Sequence, residues 1–284
     1  MKFGVVYNTA TRGVDPDAIV ATARHAELCG FESIYLPEHV VLHAGAALGG
    51  VAIDPAVPII DPLVGLSFVA AATDRILLGT AVLQLPYHHP VTLAKRLATL
   101  DVLSKGRLRL LTVGLGSLSG EASAVGVDYP SRGRRADETI DVLRLLWAGE
   151  DSGVSHHGEF FAFDNLVSFP KPARERTLPI HVGGSSRAAA RRAGLRGDGY
   201  FQGGAMSNVE RAAQIELMRS TAIAAGRDPD KLEVTRWGST DMSFEKLEAY
   251  RAGGVTRVVV GAGSLDLPQS LDELSAFAER FKLR

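Results

Sequence analysis

Ser33-Ile34-Tyr35-Leu36-Pro37-Glu38-His39 is the stretch whose reading decides the fold. A short run of β-branched, aromatic and aliphatic residues cut off by a proline reads as a buried strand leaving a core. Two ionisable groups, Glu38 and His39, follow where that strand reaches solvent. Strand ends of this kind are where scaffolds built on parallel strands carry their chemistry.

Upstream, Phe3-Gly4-Val5-Val6-Tyr7 is another short apolar strand. Asp15 before Pro16 supplies a helix cap and a first-turn proline, and Ile19, Ala23, Ala26 and Leu28 recur at helical spacing as far as Gly30, a helix stop. The result is a βαβ unit. Downstream the alternation repeats. Strands are expected at 75–83, 107–113, 178–182, 199–201, 232–237 and 256–260, each followed by a helical pattern. Eight short strands without polar alternation, each with its helix, predict an α/β fold, a (β/α)₈ TIM barrel formed as a single domain over 1–284. An open doubly wound sheet is the alternative. Two segments interrupt the pattern and are read as insertions after strands two and four. One is irregular, at about 40–60, and the other is a small hairpin at about 150–170, rich in phenylalanine.

The totals narrow the function. The net charge of −1 carries neither the basic excess that nucleic acid attracts nor an acidic tail. The single cysteine, Cys29, lies in an apolar helical pattern and reads as core in a reducing compartment. No apolar run reaches the roughly 18–20 residues of a membrane span, and Met1-Lys2-Phe3 runs straight into a strand rather than a leader. The expectation is a cytoplasmic protein acting on a small molecule, with neither nucleic acid nor membrane as partner.

A barrel places the catalytic face at the carboxyl ends of its strands. Tyr7, Asn8, Glu38, His39, Leu83, Gln84, Gly114, Gly116, His181, Gly183, Gly184, Phe201, Gln202, Arg236, Trp237, Gly261 and Gly263 fall there. His39 is the candidate for proton transfer, because imidazole titrates near neutral pH; the plainer reading is a hydrogen-bonding cap of the barrel. The clustered glycines suggest a ligand lying against backbone. Gly183-Gly184-Ser185-Ser186 at a helix start reads either as an anion cradle or as an ordinary capped loop. No metal site is expected: residue 39 ends a strand, so its spacing to His43 has no helical meaning, and the doublets His88-His89 and His156-His157 bring no thiolate or carboxylate set. Arg132, Arg134 and Arg135 read as a solvated helix start that could also meet an acidic cofactor tail.

The order of motifs resembles the luciferase-like monooxygenase superfamily, flavin- or deazaflavin-dependent (β/α)₈ barrels. The likeness rests on Ala26 to His39, Asp61-Pro62-Leu63, Arg75 to Leu83, Pro90 to Lys95, Asp101 to Arg107, Gly183-Gly184-Ser185 and Gly197-Asp198-Gly199-Tyr200. Pro37-Glu38-His39 is most similar to enzymes of the coenzyme F420 type. The resemblance implies F420 as cofactor, with FMN as the alternative, and a homodimer. It implies that Glu38 and His39 are the acidic–histidine pair beside the reactive ring, and that Ala81-Val82 is a non-prolyl cis peptide behind it. Gln84 would meet the ring edge, Gly114 and Gly116 would line the cofactor chain, and Gly183, Gly184 and Ser185 would form its phosphate turn. Sugar-phosphate dehydrogenases of this type carry a glutamate directly after the strand-four glycines. Here Ser117 stands there and Glu121 comes later, which favours another small, apolar substrate. The alternatives are an FMN-dependent monooxygenase using oxygen and a non-catalytic cofactor-binding barrel.

Overall fold

The computed structural model describes residues 1–48 and 50–283. Eight parallel strands close a barrel: β1 (Lys2–Val6), β2 (Ser33–Leu36), β3 (Leu77–Gln84), β4 (Leu108–Gly114), β5 (Ile180–Gly184), β6 (Gly199–Gln202), β7 (Glu233–Ser239) and β8 (Arg257–Gly261). Each pairs with its sequence neighbours, and β1 closes the ring on β8 through Phe3 opposite Val258. Eight longer helices form the outer layer: α1 (Pro16–Cys29), α2 (Pro62–Ala72), α3 (Pro90–Leu103), α4 (Arg132–Ala148), α5 (Arg187–Arg196), α6 (Asn208–Ala224), α7 (Phe244–Ala252) and α8 (Leu267–Phe281). The fold class expected from the sequence is thus the fold observed.

Local chemistry sets the turns. Asp15 and Asp61 accept backbone N–H groups of α1 and α2, each followed by a proline at the first helical position. Gly30, at φ 88°, ends α1 in a left-handed turn that delivers the chain to β2. Ser207 and Glu210 close a reciprocal capping box on α6. The barrel interior is filled by Tyr35, Leu110, Phe201 and Val259, and the larger apolar core lies between strands and helices.

The amino-terminal end of the barrel is closed by charge. Arg257, 1% exposed, donates to Glu32 at 2.7 Å and to Glu233 at 2.5 Å, and Lys2 reaches Glu233 at 2.6 Å. Burial pushes the Glu233 carboxyl up, but the bonds from Arg257 and Lys2 outweigh it and hold the group at about 2. Breaking such a buried network by removing one partner costs about 3–5 kcal/mol. His181 belongs here, not on the catalytic rim. The strand read at 178–182 is Ile180–Gly184, so His181 stands near its beginning, 3.6 Å from Glu233.

The two interruptions differ in role. The described residues of the 40–60 segment border the cavity at the carboxyl end of the barrel and include the short antiparallel pair Ala47–Leu48 and Val51–Ala52. The hairpin, Val154–His157 with Ala162–Leu166, comes after α4 rather than directly after β4. It lies on the outside of α4, where Glu138 accepts the N–H groups of Phe160 and Phe161 at 2.9 Å each and pairs with His156 at 3.0 Å.

Candidate active site

β2 ends at Leu36, and Pro37 prevents it from continuing, so Glu38 and His39 turn onto the carboxyl face. Their environments diverge at once. The Glu38 carboxylate accepts the Gln84 backbone N–H at 2.5 Å and His88 Nε2 at 2.9 Å. Through both oxygens Glu38 ties β3 and the turn after it to the rim. His39 points its Nδ1 at Glu121 Oε2, 3.0 Å away.

Glu121 lies in the short helix Ser119–Ala124 after β4 and is fully buried. Besides His39 it receives the Val40 N–H at 2.6 Å and Gln84 Nε2 at 3.0 Å. Burial pushes its carboxyl up, but these donors, His39 first among them, outweigh that and hold it below the ordinary glutamate value. An ionised Glu121 can only accept, so His39 Nδ1 is the ring nitrogen that carries a proton toward it. Nε2 makes no hydrogen bond to any described residue, and the ring lines a cavity of about 820 Å³. Gln84 completes the group: its Nε2 also donates to the Glu38 carbonyl at 3.0 Å, while its buried Oε1 has no described partner.

The cavity floor is the irregular end of β3. The register between β3 and β4 slips between Thr80 and Leu83, and Ala81-Val82 is a cis peptide. Val82 explains two of the glycines. A Cβ on Gly114 would stand 2.4 Å from Val82 Cγ2, and one on Gly183 would stand 2.6 Å from Val82 Cγ1. These glycines give room to a side chain of the protein as well as lining the cavity. Gly116, at φ 74°, takes a left-handed turn where a Cβ would meet the Tyr87 hydroxyl. Gly183, Gly184, Ser185 and Ser186 line the same cavity beside Ala189, and Ser186 Oγ caps α5 by accepting the Ala189 N–H at 3.1 Å.

The opposite wall is apolar. Leu42, Val51, Ile53, Val57 and Ile59 of the 40–60 segment face the cavity, with Asp54 the carboxylate among them. Arg132, the one cation in the lining among the described residues, is already engaged with the carbonyls of Tyr129 at 2.6 Å and Gly116 at 3.3 Å, and stacks 3.5 Å over the Tyr129 ring.

The residues singled out from the sequence separate accordingly. Glu38, His39, Ala81, Val82, Gln84, Gly114, Gly116, Gly183, Gly184 and Ser185 all line one cavity. His181 lies at the other end of the barrel, Trp237 packs on Phe201 at 4.6 Å between ring centres, and Arg236 faces the helices. Neither Trp237 nor the 150–170 hairpin lines the cavity. Glu121, assigned no role from the sequence beyond its distance from the strand-four glycines, is the partner of His39, and His88 is the partner of Glu38. Their only sequence signal was chemical type: Glu121 sits in a six-residue helix too short to show a period, and His88 just after a three-residue turn.

The model of the luciferase-like monooxygenase family matches residues 1–238, and the chain belongs to that family. A Mycobacterium tuberculosis (strain ATCC 25618 / H37Rv) protein described as uncharacterized is 32% identical over 99% of this chain and 97% of its own length. An F420-dependent hydroxymycolic acid dehydrogenase of the same organism is 32% identical over 90% of this chain and 67% of its own. An FMNH(2)-dependent dimethylsulfone monooxygenase of Pseudomonas putida is 36% identical over 55% of this chain and 42% of its own. Among solved structures, an F420-dependent secondary alcohol dehydrogenase in complex with an F420–acetone adduct superposes with a TM-score of 0.78 over 98% of this chain and 97% of its own, at 19% identity, a likeness of fold. The protein is therefore a luciferase-like oxidoreductase of a family whose members use F420 or reduced FMN. Among the described residues no helix is long and apolar enough to cross a membrane.

Proposed function

We propose that this protein is an F420-dependent oxidoreductase acting on a small apolar alcohol or its carbonyl counterpart. The observation that carries the reading is the His39–Glu121 pair: an imidazole whose Nδ1 stands 3.0 Å from a fully buried carboxylate, whose Nε2 has no described partner and whose ring lines the cavity. The residues fit the cofactor. An 820 Å³ cavity accommodates a fused ring and part of its chain, the buried Gln84 Oε1 still needs a donor, and Gly183 to Ser186 offer a turn at the start of α5 where an anion is favoured. Glu38, Ala81, Val82 and Gln84 would hold the ring side, and Gly114, Gly116, Gly183, Gly184 and Ser185 the chain.

Bound there, a deazaflavin would supply or take the hydride. His39 Nε2 takes the hydroxyl proton of an alcohol, or returns it to a carbonyl oxygen, while Glu121 stabilises the imidazolium so formed. General acid–base catalysis of this kind contributes about 10²–10⁴-fold. Leu42, Val51, Ile53, Val57 and Ile59 exclude water and select an apolar substrate, and the engagement of Arg132 argues against a phosphorylated one.

The second reading is an FMN-dependent monooxygenase, favoured by the 36% identity to the dimethylsulfone enzyme over about half of the chain. The F420-dependent relative matches 90% of the chain, which supports the first. A homodimer is part of the proposal. Val64 and Phe68, one turn apart on α2, are 65% and 50% exposed, and Leu28 of α1 and Leu103 of α3 are exposed as well. The functional reading is tested with His39→Ala: F420 affinity is expected to stay within about threefold while turnover of aliphatic alcohols falls at least about 100-fold. Undiminished turnover would overturn it.

A further inference from the structure

A second cavity, of about 300 Å³, opens outside the barrel between α6 and α7, over the ends of β6 and β7. Three cations line it, Arg211, Arg236 and Lys246, together with Gln202, Asn208 and Tyr250, and no carboxylate is among its lining residues. Arg236 makes no hydrogen bond or ion pair with any described residue; its guanidinium lies 3.9 Å over the Tyr250 ring. Arg211 spends Nη2 on the Gly204 carbonyl at 2.7 Å and reaches the Gln202 carbonyl with Nη1 at 3.5 Å, but its buried Nε has no partner among the described residues. Gln202 is 1% exposed: its Nε2 donates to the Arg211 carbonyl at 2.9 Å, and its buried Oε1 has no described partner.

Uncompensated like charges sharing a pocket repel, and a buried donor and acceptor left unmet each carry a desolvation cost. Arg257, by contrast, meets its charge with Glu32 and Glu233. Burial, with the charge of Arg211 adding to it, also lowers the Arg236 guanidinium from its ordinary value, so the pocket gains by taking up negative charge. Water would meet the unmet donor and acceptor but would offset none of the three cations. A group that meets everything has several acceptor oxygens, negative charge and one O–H: the oxygens for Arg211, Arg236 and Lys246, the O–H for Gln202 Oε1.

From this juxtaposition we infer that the gap between α6 and α7 is a binding site for a phosphate group, either inorganic hydrogenphosphate or a phosphate monoester. The site is separate from the Gly183–Ser186 turn and stands whether the cofactor is F420 or FMN. The test is calorimetric titration of the full chain with inorganic phosphate, sulfate and glycerol phosphate, repeated on Arg236→Gln, Lys246→Gln and, to mark the other turn, Ser185→Ala. Phosphate is expected to bind, with its affinity lowered about tenfold in Lys246→Gln, more in Arg236→Gln, and unchanged in Ser185→Ala. Sulfate, with no proton for Gln202, is expected to bind several-fold more weakly. Glycerol phosphate matching inorganic phosphate would identify the ester as the occupant, and a weaker ester the free anion. Lys246 is exposed, so Lys246→Gln still tests the cation cluster should Arg236→Gln fail to fold. Absence of phosphate binding to the unaltered chain, or isotherms unmoved by either cation variant, would overturn the inference.

Discussion

His39 Nδ1 stands 3.0 Å from Glu121 Oε2, joining residues 82 positions apart. One ends a strand and the other sits in a short helix after a different strand, so the pair exists only because β2, β3 and β4 are neighbours in the barrel. Its consequence is a defined tautomer. A carboxylate ringed by donors from His39, Val40 and Gln84 holds the proton on one ring nitrogen and leaves the other for the cavity.

Glu121→Gln keeps the volume and removes the charge. The Val40 N–H retains an acceptor, so the fold is expected to survive, with a melting temperature within a few degrees. Loss of the charge that stabilises imidazolium is expected to lower kcat about 10–100-fold, leave cofactor affinity nearly unchanged and move the pH profile of kcat to lower pH. A structural role alone would lower stability without moving the profile.

Gly114→Ala tests the floor of the cavity. Its new Cβ would meet Val82 Cγ2 at 2.4 Å, so β3 must shift. Overpacking of this kind costs about 1–3 kcal/mol. Urea unfolding is expected to show that loss, with cofactor affinity falling alongside it because Val82 lines the same cavity.

His181 predicts a pH dependence of stability unrelated to catalysis. Burial, with Arg257 adding and Glu233 opposing, lowers its imidazole from 6.5 to about 4. Between those values the unfolded chain binds a proton that the folded one does not, so stability falls as pH drops from 6.5 to about 4. The loss is about 3 kcal/mol at about 1.4 kcal/mol per unit. Ionisation of Glu233, lowered from 4.5 to about 2, contributes stability that is lost as pH falls from about 4.5 to about 2. Urea midpoints measured across this range should flatten in His181→Gln.

Phe68→Glu tests the dimer. A charge on the exposed face of α2 is expected to convert a dimer seen by light scattering into a monomer, with the unfolding midpoint reduced.

The barrel was legible because its signals are local. Apolar runs bounded by glycine and proline, and aspartate–proline caps at 15–16 and 61–62, mark each element without reference to the others. His39 was legible for the same reason, as an imidazole just past a strand. Glu121 was not, because its meaning comes from two other strands and a six-residue helix is too short for a period to place it. Gly114 and Gly183 show another limit: a missing side chain signals close approach but not of what, and here Val82 is part of the answer. His181 was misplaced by a two-residue error at the start of β5, enough to exchange one end of a five-residue strand for the other.

The most direct test of the central claim is an equilibrium titration of the cofactor-free protein with F420 and FMN side by side. F420 is expected to bind with a dissociation constant in the micromolar range, at least about tenfold more tightly than FMN, a difference of about 1.4 kcal/mol. Tighter binding of FMN would contradict the account.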